Sequence, residues 1–131
     1  MKKLLLLGLM FPMLAHAAKW IPVGAQGDSK SFIDKSSMVK TDAGYKAWSL
    51  VSHAKAQATQ DGVAYLSMKA LHVYSCAERS TTLLSQVFYG EAMGRGPVAQ
   101  NLKFEKFSPE DIVPDSVQDG ALAAICKGRK K

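Results

Sequence analysis

Outside the first 17 residues, the side chains with most capacity for chemistry are His53, His72, Cys76 and Cys126. The two histidines fall on separate expected strands and lack the paired spacing of a zinc site, so no metal is expected. Ser52, His53 and Asp34 supply the residue types of a nucleophile, a base and an orienting carboxylate. Nothing in the sequence brings those three together, and no G-x-S-x-G elbow is present. His72, in an apolar run, reads as a core or boundary histidine, and Glu91, Glu105, Glu110 and Asp111 read as solvated charges rather than a glycosidase pair. Gly94-Arg95-Gly96 is a fragment of a phosphate loop without its lysine and Ser/Thr. It reads instead as a loop needing positive φ, exposing Arg95 where a binding module would keep a contact. No catalytic residue and no cofactor follow from these residues.

The cysteines need a compartment before they can be read. Residues 1–17, MKKLLLLGLMFPMLAHA, combine two lysines, an apolar stretch from Leu4 to Leu14 and the small-x-small step Ala15-His16-Ala17. That is an export signal, with cleavage expected after Ala17. The apolar run is too short for a stable span, and no later segment approaches the roughly 18 apolar residues a transmembrane helix requires. No cysteine lies near the cleavage site, so no lipid anchor is expected. In an exported domain an even cysteine count favours a disulfide between Cys76 and Cys126; the rival reading, free thiols or a redox site, lacks the C-x-x-C spacing.

Residues 18–131 fit one small domain with a modest core. Lys19 to Val23 reads as an edge strand that tolerates Pro22, and Lys30 to Lys35 as a second strand. Tyr45 to Gln57 reads as a long strand after the turn at Asp42-Ala43-Gly44. Asp61-Gly62 is a hairpin signal opening into Ala64–Cys76, where Leu66, Met68, Ala70, His72, Tyr74 and Cys76 form the expected core face. Thr81 to Glu91 is a further strand, completing an antiparallel meander.

The period then changes. Ser108-Pro109-Glu110-Asp111 predicts one helical turn, stopped by Pro114. Ser116 to Asp119 resembles a capping box, and Val117, Ala121, Ala124 and Ile125 recur at helical spacing, with Cys126 beside Leu122 and Gly128 as the stop. The expected class is α+β: about five to six mostly antiparallel strands and a C-terminal helix that Cys126 ties to the sheet.

A formal charge of +6 is concentrated at the two ends. Without Lys2 and Lys3, 15 basic residues face 11 acidic ones; without Lys127, Arg129, Lys130 and Lys131 the balance is 11 to 11. No basic patch interleaved with aromatics is visible, so no nucleic-acid partner is expected. The tail 127–131 reads as a solvated end. Trp20 and Trp48 read as core or boundary residues that become contact candidates if exposed.

An early tryptophan, FIDKSSM (Phe32 to Met38), KAWSLV, YLSMKALHVYSCAERSTTLLSQVFYGEAMGRG and VPDSVQDGALAAIC together resemble the surface-adhesin E (protein E-like) family of bacterial envelope proteins. The resemblance covers nearly all of the chain after residue 17. It implies a mostly antiparallel sheet with a C-terminal helix and a disulfide joining positions that match Cys76 and Cys126. It also implies a non-enzymatic role, binding host extracellular-matrix or serum proteins at the bacterial surface, with a homodimer among the assemblies it allows. The resulting expectation is an adhesin-like module contacting its protein ligand through a sheet face or edge and loops, with Lys69, Arg79, Arg95 and Lys103 as contact candidates. The alternative is an accessory or inhibitor protein of the periplasm that shares the fold.

Overall fold

Strand-forming residues separated by tight turns build one antiparallel sheet in the computed structural model, which describes residues 18–105 and 108–127. The expected signal segment with its cleavage after Ala17, and tail residues 128–131 with the expected Gly128 stop, lie outside the described residues. Strands β1 (Trp20–Gln26), β2 (Ser29–Thr41), β3 (Gly44–Ala58), β4 (Ala64–Ser75), β5 (Ser80–Tyr89) and β6 (Val98–Lys103) pair in chain order. A two-residue strand β7 (Glu110–Asp111) joins β5 beyond the end of β6, pairing with Ser80 and Thr81. Among the described residues no helix is long and apolar enough to cross a membrane.

Helix α1 (Val117–Cys126) packs on one face of this sheet. Its start follows from local chemistry. Ser116 accepts a hydrogen bond from the Asp119 backbone N–H at 3.2 Å, and the Asp119 carboxylate accepts one from the Asp115 backbone N–H at 2.9 Å. Ala121, Leu122 and Ile125 then meet Ile33, Ala47, Tyr74 and Ile112 in the core. Close approach is permitted at Gly120, where a Cβ would stand 2.3 Å from the Val23 carbonyl oxygen. Cys76 and Cys126 are bonded, their Cα atoms 5.7 Å apart, so the helix end is tied to the end of β4 as expected.

Two expectations are corrected, and one strand is added that the sequence did not signal. Ser108–Asp111 does not form a helical turn: Glu110 and Asp111 extend as β7, because the edge of β5 beyond Lys103 offers free backbone partners. The strand β6 had no sequence signal, since VAQNLK lacks a strong alternation of apolar and polar residues. In β4 the expected core parity holds for Ala70, His72 and Tyr74, but Leu66 and Met68 are only half-buried, while Ser67 of the opposite parity is fully buried. Something therefore covers the other face of the sheet at Ser67.

Candidate functional site: an aromatic cleft beneath a clamped glycine loop

On the face away from α1, one row of side chains crosses six strands. Register pairs Trp20 with Asp34, Asp34 with Trp48, Trp48 with Leu71, Leu71 with Ser85 and Ser85 with Lys103. Direct antiparallel partners share a face, so these six residues form a single band. At its β1 end, Trp20, Asp34 and Trp48 join Lys69 and Tyr89 around a shallow cleft of about 220 Å³. The Lys69 ammonium stands 5.7 Å from the Trp20 ring centre and 5.0 Å from that of Tyr89, within range of a cation–π attraction. Asp34 is buried, its Oδ1 accepting hydrogen bonds from the Ser36 backbone N–H and hydroxyl. Ser37 adds a bond to the Asp34 carbonyl and accepts one from the Trp48 N–H, so the β2 bulge between Asp34 and Val39 positions both walls.

The loop after β5 covers Ser67. Ser67 Oγ donates to the Glu91 carbonyl and accepts from the Gly94 N–H at 2.8 Å, while Ser52 Oγ accepts from the Met93 N–H at 3.0 Å. Both serines are buried beside Leu50 on this face. Gly94 and Gly96 have φ of 68° and 81°, the left-handed geometry expected for this stretch. A Cβ on Gly94 would come within 2.4 Å of Lys69 Cε, so the loop also holds the lysine stem against the rings. Arg95, beside it, is exposed.

The four contact candidates therefore separate. Lys69 and Lys103 lie on the aromatic face, in adjacent rows, and Arg95 sits on the loop bordering it. Arg79 stands apart, pairing with Asp119 at 2.6 Å and so bracing the start of α1. That pair and the Asp115 amide hold the Asp119 carboxyl below its usual range, the amide contributing most. Trp20, Trp48 and Tyr89 belong to the cleft without having been singled out together. Their common row depends on pairing across strands, which no local pattern reveals.

Ser52, His53 and Asp34 are not assembled. Ser52 and Asp34 face the cleft side, whereas His53, one residue on, points to the helix side and meets Ser29 Oγ at 2.7 Å. Among the described residues no group of three or more His, Cys, Asp or Glu could hold a metal ion. His72 is buried, and desolvation lowers its pKa to about 4, so its imidazole is neutral. Burial pushes the neighbouring Tyr74 hydroxyl up to about 12.

This architecture is shared with solved structures of Haemophilus influenzae protein E. A selenomethionine form aligns with a TM-score of 0.60 at 18% identity, covering 86% of this chain and 97% of that one. Protein E from non-typeable Haemophilus influenzae aligns with a TM-score of 0.58 at 18% identity, covering 89% of this chain and 81% of that one. At such identity the likeness is one of fold. No curated protein matches the chain. The family model for surface-adhesin protein E matches residues 20–127, from the first tryptophan of the cleft to the residue after the helix cysteine, and the chain belongs to that family.

Proposed function

We propose that this protein is an exported, non-enzymatic adhesin that recognises a host extracellular-matrix or serum protein through its aromatic face. The signal at residues 1–17, cleaved after Ala17, would deliver it across the inner membrane. The observation that carries the reading is the cleft itself. It groups two tryptophans and a tyrosine on a sheet face not covered by α1, with a lysine ammonium that forms no ion pair among the described residues. Tryptophan, tyrosine and arginine are the side chains that dominate interface hot spots, and Arg95 borders the same face. Lys69 and Lys103 would favour an acidic segment of the ligand, while Arg79 would reach a ligand only by exchanging its bond with Asp119.

Binding of the purified chain to a panel of immobilised matrix and serum proteins tests this. Trp20→Ala and Lys69→Met are each expected to weaken capture by roughly tenfold or more, whereas Val113→Ser, on an exposed loop elsewhere, is expected to leave it unchanged. Equal capture by all four proteins would remove the aromatic face from the mechanism. No capture across the panel would favour the periplasmic accessory role instead.

A further inference from the structure

Asp34 is only 6% exposed, and its carboxylate is held from one side. Oδ1 accepts from the Ser36 backbone N–H and hydroxyl, whereas Oδ2 accepts no hydrogen bond among the described residues. Oδ2 is not sealed in the interior: it keeps some surface at the cleft that Asp34 lines. Lys69 shares that cleft, but its ammonium lies over the Trp20 and Tyr89 rings and forms no ion pair with Asp34. A buried carboxylate is costly unless a positive group or further donors meet it, so the cleft has a place for a second cation.

The chain itself supplies one. Ala18 is exposed and lines the same cleft. Because β1 and β2 are antiparallel with Trp20 opposite Asp34, the residues before Trp20 run back beside those that follow Asp34, where Ser36 holds the carboxylate. Ala18, two residues before Trp20, is thus diagonal to Asp34. Diagonal neighbours on one sheet face are about 7–8 Å apart, and a terminal ammonium, free to turn about its own Cα, can close the remaining gap to the Asp34 carboxylate. While residue 17 is attached, the Ala18 nitrogen is a neutral amide. Hydrolysis of the Ala17–Ala18 bond by a signal peptidase consumes one water and leaves a carboxylate on Ala17 and an amine on Ala18. That amine takes a proton at neutral pH, its ordinary pKa being about 7.7–8.0. We propose that the cleft is a site for the mature chain's own α-ammonium: cleavage after Ala17 creates a cation on Ala18 that pairs with Asp34 Oδ2 beside Trp20 and Trp48. Processing then sets the charge of the aromatic face. Before cleavage Lys69 is the one cation lining the cleft with Asp34; afterwards there are two, which suits an acidic ligand segment. The inference rests on the export reading through its cleavage site, and not on the identity of the ligand.

N-terminal sequencing of the exported protein comes first and is expected to begin Ala18-Lys19-Trp20. The mature chain is then acetylated at about pH 6.5, where the α-amine, less basic than any lysine, reacts first, and Asp34→Asn is treated in the same way. Acetylation is expected to lower the melting temperature of the wild-type chain by about 3–5 °C and that of Asp34→Asn by less than about 1 °C. It is also expected to shift the Trp20 and Trp48 indole N–H resonances in the wild-type chain alone. Nuclear Overhauser contacts between the Ala18 methyl and the Trp20 or Trp48 ring, present with the free amine and lost on acetylation, read the same placement without any substitution. A different first residue, an acetylation effect equal in both chains, or no effect on the wild-type chain would each overturn the proposal. Failure of the adhesin reading would show instead as absent capture across the ligand panel, with these measurements unchanged.

Discussion

Gly94 shows how a single missing side chain organises the cleft. Its φ of 68° strains any L-residue, and an added methyl would collide with the Lys69 stem. Gly94→Ala is expected to cost about 1–2 kcal/mol, read by urea unfolding, and to shift tryptophan fluorescence as Lys69 leaves Trp20. Unchanged fluorescence would mean the loop does not hold the lysine. His72 makes a different prediction. Its folded pKa of about 4 lies below the ordinary 6.5, so between those values the unfolded chain binds a proton that the folded chain refuses. Stability therefore rises with pH across that window, and its loss on acidification from pH 6.5 to 4 amounts to about 3 kcal/mol from this residue. Asp119, held below its usual range, adds a further loss at still lower pH, as its carboxylate protonates and the Asp115 and Arg79 contacts weaken. His72→Phe is expected to flatten the upper window alone; an unaltered profile would assign it to other groups.

Among the elements, α1 depends most on a covalent tie. It has ten residues, too few for independent stability in water, and meets the sheet through Ala121, Leu122, Ile125 and the Cys126 bond. Cys76 and Cys126 are 50 residues apart, and in the chain-entropy model such a crosslink is worth roughly 4 kcal/mol. Cys76→Ala with Cys126→Ala is expected to lower the melting temperature by roughly 15–20 °C, measured by circular dichroism. A drop of only a few degrees would mean that packing of Ala121, Leu122 and Ile125 holds the helix without the bond. The β5–β6 loop behaves oppositely, being held by Ser52 and Ser67 hydroxyls rather than by apolar burial.

For the whole molecule, the two sheet faces divide the work: α1 closes one over the core, and the other presents the aromatic band. With 11 basic and 11 acidic residues between positions 18 and 126, the folded body carries no net charge to steer ligands over long range. Contact selectivity would then come from the cleft and its bordering loop. An adhesin must also reach the outside. Protease treatment of intact cells is expected to degrade this protein while a periplasmic control survives; survival of both until the outer membrane is opened would place it inside.

Much of the fold was legible because its signals are local. Alternation and the Asp61-Gly62 turn marked the long strands, Ser116 and Asp119 marked the helix start, and an even cysteine count in a chain expected to be exported marked the disulfide. The site was not, because it depends on register. Trp20, Asp34, Trp48 and Lys69 belong to four different strands, and only cross-strand pairing sets them on one face. The same pairing sends Ser52 and His53 to opposite faces and makes β7 from residues that locally favour a helical turn. Sequence alone determined the class of fold, the expectation of export and the cysteine pair, since each rests on residue type and short spacing. Tertiary structure decided which side chains meet, because in a sheet a neighbour in space is a partner across the ladder rather than along the chain.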